Sequence, residues 1–194
     1  MEQQQYLQQY QAQLTQQLLR LATDAKALEG QLLETDDLEA RWEDIAAAYL
    51  VDGVKEIADY PHVAVGWMVY VGMAMAQLWD TDWERVSQQS DLYALVRDPR
   101  GFDCLDEWVR EDLLGMERDG EDYRACENLV RALAQSTLDA IRHENVEPQS
   151  PLAFHIYTHS LHALFQIGIA IELFRLGYRS AKLSSSSSLQ RPRR

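Results

Sequence analysis

The chain has 194 residues, 46% hydrophobic and 25% charged, the balance of a soluble globular protein long enough for one substantial domain. Thirty-one Asp and Glu against eighteen Lys and Arg give a net charge of −13. Such a field opposes contact with polyanions, which sets aside nucleic acid and anionic membrane surfaces as partners.

The N-terminal run MEQQQYLQQYQ has neither a basic n-region nor an apolar h-region, so no signal peptide is expected and the cytoplasm is the expected compartment. Within it begins a helical pattern. Leu7, Leu14, Leu21 and Leu28 recur every seven residues, and Leu18, Ala25 and Leu32 form a second row. Two readings follow: a dimerising coiled coil, or an amphipathic helix packed inside its own domain. Gln11 and Ala25 weaken the second row, which favours the domain. A turn over 30–35 leads to a second helix with Asp36 or Asp37 as its N-cap. Leu38, Trp42, Ile45 and Tyr49 share one face of it. Asp37, Arg41, Asp44, Asp52, Lys55 and Asp59 mark a mixed-sign face expected to be solvated.

Residues 61–79 carry no Asp, Glu, Lys or Arg and approach the length of a membrane span. Asp59, Asp80 and Asp82 flank them without a nearby basic residue to set an orientation, so a buried core helix begun by Pro61 is expected. Gly66, Gly72, Ala74 and Ala76 keep that helix thin. Thr81 and Glu84 have capping-box spacing before a short segment ending near Gln89. One or two turns fit 90–97, and DPRG at 98–101 breaks the chain. Asp103 and Asp106 open a helix through Leu105, Trp108, Val109 and Leu113. After MERDGED, a long helix places Cys126, Val130, Leu133, Thr137 and Ile141 on one face, ending at ENVEPQ. Ser150 and Pro151 pair an N-cap with an N1 proline, starting a last helix that runs to about Lys182. Strand signals are almost absent. The expected architecture is all-α: a single-domain helical bundle of five to seven helices over 1–183, with the 62–79 and 151–182 helices largely apolar and central. Residues 184–194 read as a disordered Ser-rich basic tail.

The stretch FHIYTHSLHALFQ holds three of the five histidines. At about 100° per residue, His155, His159, His162 and Gln166 fall within about 60° of one another. Imidazoles at i and i+4 can reach one ion from successive turns, so a divalent transition metal on His155 and His159 is one reading. His162 is a poorer third ligand than a residue from another helix. His62 is the best distant candidate, with Asp59 and His143 behind it. The bland reading is a partly wet edge of a core helix, its histidines bonded to water, backbone or carboxylates, and no cofactor. Facing acidic groups, such a cluster would also titrate near neutral pH.

The histidine pair near the start of a last helix ending FRLGY resembles the DinB-type metal-binding four-helix bundles. The resemblance covers about 25 residues and implies His62 as an early ligand, with His155 and His159 as the later pair. The His-Arg-Gly-Gln-like run usual in that family is replaced by His162-Ala163-Leu164-Phe165-Gln166. Over the whole chain, YPHVAVGWMVYVGMAMAQLWDTDW with HSLHALFQIGIAIELFRLGY resembles uncharacterised all-helical bacterial proteins, which implies a compact helical fold and no activity.

Other chemistry is sparse. There is no glycine-rich phosphate loop. Ser160 is not placed for attack with its helical neighbours His159 and His162, because adjacent positions on a helix face apart. Cys104 and Cys126 form no motif and fit a reducing compartment, with a disulfide between them left open. Whether the protein is an enzyme stays open. The first expectation is a non-catalytic interaction or oligomerisation module, a homo-oligomer meeting through the 7–32 seam. The alternative is a metal-binding bundle or metal-dependent enzyme using His155 and His159.

Overall fold

The computed structural model describes residues 1–179 together with Lys182 and Leu183; the 184–194 tail lies outside the described residues. In chain order the helices are α1 (Glu2–Asp24), α2 (Asp36–Glu39), α3 (Trp42–Glu56), α4 (Pro61–Val86), α5 (Leu92–Arg97), α6 (Leu105–Trp108), α7 (Glu121–His143) and α8 (Pro151–Arg175). A 3₁₀ turn, Phe102–Cys104, precedes α6 and a π turn, Val109–Leu113, follows it. Two short strands, Glu34–Thr35 and Lys182–Leu183, pair in parallel, Glu34 opposite Lys182. The fold is all-α, as its periodicity indicates.

Helices α4 and α8 form the central pair. Both start as expected at an N1 proline, and Ser150 Oγ accepts the Ala153 N–H at 3.1 Å. From Ala64 to Ala76 almost every α4 side chain is buried, and α8 is buried nearly all round from Ser160 to Leu173. Glycines let the two backbones touch. A Cβ on Gly72 would lie 3.1 Å from Gly168 Cα and closer still to the Phe165 carbonyl oxygen. A Cβ on Gly168 would strike the Val69 carbonyl. No helix among the described residues is long and apolar enough to cross a membrane. In α4, small residues and the acidic run after Trp79 dilute the hydropathy.

Helix α1 lies across α8 and α7, and Leu7, Leu14 and Leu18 are 6%, 2% and 0% exposed. Each such leucine contributes about 2 kcal/mol relative to exposure, so the seam is spent inside the chain. A contact between copies through 7–32 would have to expose it, and that expected surface is therefore withdrawn. One hydrophobic core extends from Leu7 to Tyr178.

Several local expectations change. The α2 cap is Thr35, whose Oγ1 accepts the Asp37 N–H at 3.3 Å, rather than Asp36 or Asp37. Helix α4 runs on past the expected break, with a non-helical Asp82 inside it. There the Asp82 carboxylate accepts the Arg85 N–H, while Thr81 Oγ1 donates back to the Gln77 carbonyl, so Thr81 and Glu84 are not a capping box. The last helix stops at Arg175, not Lys182. Gly177 takes φ 102°, and the N–H groups of Gly177 and Tyr178 donate to the Phe174 and Leu173 carbonyls. That closure needs a left-handed residue, which glycine supplies without strain. On the mixed-sign face, Asp37 accepts Trp79 Nε1–H at 2.9 Å and Asp52 accepts Tyr93 O–H at 2.8 Å. Those two carboxylates are structural bonds, not solvated charges.

Candidate functional site

The histidine stripe does face polar partners, from two other helices, and an aromatic ring from a third. Gln11 of α1 stands between two of the rings. Its Oε1 lies 2.6 Å from His159 Nδ1, and its Nε2 lies 2.9 Å from His162 Nδ1. An amide oxygen only accepts and an amide nitrogen only donates, so the tautomers follow. His159 carries its proton on Nδ1. His162 carries its proton on Nε2, which donates to Glu39 Oε1 at 2.6 Å. Gln166 Nε2 donates to the other Glu39 oxygen at 3.4 Å. Trp42 closes the group by stacking on His162, ring centroids 4.5 Å apart and planes 6° from parallel.

The electrostatics match this geometry. Burial, with repulsion from His162 and His155 whenever those rings are protonated, holds the His159 imidazole below its ordinary pKa. Burial pushes Glu39 up, but the hydrogen bond from His162, the attraction of that ring when protonated, and the bond from Gln166 outweigh it, leaving that carboxyl below its usual range. Neutral His159 with its proton on Nδ1 keeps a lone pair on Nε2, which has no protein hydrogen bond among the described residues. His155, one turn earlier, is exposed.

His62 is not brought to the stripe's polar partners. Its Nε2 bonds Gln135 Oε1 of α7 at 2.7 Å, and Gln135 in turn donates to Asp139. Asp59 and His143 are exposed. Among the described residues no group of three His, Cys, Asp or Glu is placed to hold a metal ion. Ser160 is buried and bonds Tyr10 O–H and the Ile156 carbonyl, turned away from both neighbouring histidines. Sequence reasoning passed over Gln11, Glu39 and Trp42. Gln11 carried a signal, since a glutamine interrupting an apolar row must meet something polar where it packs.

A second place stands out by exposure. Val51 (59%), Val54, Ile57, Tyr60 (63%) and Phe154 are large apolar side chains open to solvent, on α3, its link to α4, and the first turn of α8. Beside them runs a groove of about 830 Å³ between the C-terminal ends of α3 and α7 and the N-terminal ends of α4 and α8. Val54, Ile57, Pro61, Ile141, Phe154 and Tyr157 line it, and Arg142 is the one charged residue in its lining. Isolated apolar side chains on a surface are ordinary, whereas a contiguous apolar patch beside a groove marks a contact surface.

No family model, characterised protein or solved structure matches the chain.

Proposed function

We propose that this protein is a non-catalytic helical interaction module that self-associates through the apolar surface on α3 and the start of α8. The single observation that carries the reading is the exposed set Val51, Val54, Ile57, Tyr60 and Phe154, of which Val54, Ile57 and Phe154 line one groove. Of the heptad leucines, Leu7, Leu14 and Leu28 are buried internally and Leu21 is half-buried, so the row offers little to a partner. Net charge supports a partner that is neither nucleic acid nor anionic membrane, and two free cysteines support a reducing, cytoplasmic setting. Multi-angle light scattering on the untagged protein tests the reading. A dimer or larger species is expected, and a strict monomer at high concentration would refute it.

One observation favours a second reading, a transition metal held by His155 and His159. Gln11 orients His159 with Nε2 as the lone-pair nitrogen, and such a partner on the other ring nitrogen is the usual companion of a metal-ligating histidine. His62, bonded to Gln135, and His162, bonded on both nitrogens, would have to give up those bonds to join. Mass spectrometry of bound metal, wild type beside His159→Ala, separates the readings. Near-stoichiometric zinc or nickel lost in the mutant would put the metal first, and none in either after soaking would remove it.

A further inference from the structure

We infer that Cys126, Met73 and Met116 form a three-sulfur site for one soft monovalent cation, Cu(I), in the pocket between α4, α7 and the end of α8. The inference is independent of the histidine stripe and of the apolar patch.

The three sulfurs come from separate segments. Met73 lies in the buried stretch of α4, Cys126 in the second turn of α7, and Met116 in the link before α7. All three line one pocket of about 490 Å³. The Met116 N–H donates to the Arg110 carbonyl at 2.8 Å, which ties this methionine to the π turn. The Cys126 thiol donates to Met73 Sδ across 4.0 Å, so the thioether lone pairs are turned toward the thiol. That separation fits a metal as well as a proton. Two sulfurs each about 2.3 Å from an ion, at a trigonal angle of about 120°, stand about 4 Å apart. A trigonal ion takes a third donor, and Met116 is the remaining sulfur on the pocket wall.

Donor chemistry selects the ion. Thiolate and thioether are soft ligands that favour Cu(I), whereas zinc is held by thiolates, imidazoles and carboxylates. Among the described residues no histidine lines this pocket, and its one carboxylate, Asp122, is exposed. The nearby Glu172 carboxylate is engaged by Arg175 at 2.8 and 3.0 Å. Charge balance suits the place too. Loading breaks the S–H bond of Cys126, releases one proton to solvent and forms one Cu–S bond, so the site is neutral before and after. Burial that holds the thiol protonated opposes a bare thiolate, but it does not oppose a neutral copper thiolate. For the same reason Lys26, Arg175 and Arg179 on the pocket wall do not repel the exchange. Cys126 is half-buried, which leaves its sulfur within reach of an arriving ion.

Titration of the reduced full chain with Cu(I) tests the site, with a chromophoric Cu(I) chelator competing for the ion. Circular dichroism checks the fold of each variant. One Cu(I) per chain is expected, with a near-ultraviolet thiolate-to-copper band that Cys126→Ser removes and Cys104→Ser leaves. Losing a group that merely supports a ligand costs about ten- to a hundred-fold in metal affinity, so losing a ligand costs at least as much. Met73→Leu and Met116→Leu, which keep the apolar volume, should each weaken binding by about ten-fold or more. A chain that retains no Cu(I) against the chelator overturns the site. So does Cu(I) binding that Cys126→Ser and Met73→Leu leave unchanged. An unchanged affinity in Met116→Leu alone overturns the three-sulfur set. Loss of the ion in His159→Ala but not in Cys126→Ser also overturns the inference, and assigns copper to the histidine stripe.

Discussion

Gly168→Ala should destabilise the fold although alanine is the better helix former. In an exposed helix the change gains about 1 kcal/mol. Here the added methyl meets the Val69 carbonyl oxygen well inside van der Waals distance, with Val69 Cα at 3.1 Å. Those are backbone atoms of a buried helix, so no side chain can rotate away. Relief requires α4 and α8 to part by roughly an ångström along their crossing, and a gap of that size forfeits about a quarter to a half of each facing contact. Overpacking of this kind costs about 3 kcal/mol. The net loss is then about 2 kcal/mol, which lowers the urea midpoint by about 1 M at an m-value of about 2 kcal/mol/M. Gly72→Ala should behave alike, and the double variant should lose less than the sum, because one separation relieves both contacts. Urea unfolding followed at 222 nm measures this. A Gly168→Ala protein as stable as wild type would refute the close crossing. Gly66→Ala is the control, since its added methyl would meet only side-chain atoms, at 3.3 and 3.5 Å.

Arg110 is 2% exposed, bonded to Asp106 Oδ2 at 2.7 Å and stacked over Tyr123 at 3.9 Å. Arg110→Ala should cost about 3 kcal/mol in the same assay by stranding Asp106, and Arg110→Lys should not recover it, because an ammonium cannot stack as a planar guanidinium does. The depressed His159 contributes stability that is complete above the unfolded value of about 6.5. That contribution is lost as pH falls through the lower folded value, so Tm should decline as pH falls below about 7. His159→Gln should flatten that decline, and an unchanged slope would place the titration elsewhere. Glu39, also depressed, acts in a lower window: its contribution is complete above the unfolded value of about 4.3 and is lost as pH falls further. Burial pushes the Cys126 thiol up to about 12, beside Met73 Sδ at 4.0 Å. At pH 8 a thiol reagent should therefore modify the half-buried Cys126 far more slowly in the native protein than in denaturant, and equal rates in the two, read by peptide mapping, would contradict the raised thiol.

Read without coordinates, the chain declares its helices, because helical periodicity and end signals are local. Ser150-Pro151 and Pro61 mark the starts of the two central helices correctly. The same locality explains the errors. FRLGY held its own stop at Gly177, but a glycine in an apolar run reads equally as a thin point until its φ is known. The leucine row of α1 announces an apolar face without saying whose surface covers it; α8 and α7 cover it here. The histidine stripe was legible as a stripe from its spacing alone. That Gln11, Glu39 and Trp42 would meet it was decided by tertiary packing, since residues up to 151 positions apart carry no local mark of each other. The exposed patch was equally hidden. Val51, Val54 and Ile57 look like core residues in sequence, and only the placement of α3 on α4 determines that Ile45 and Tyr49 point inward while these three face water.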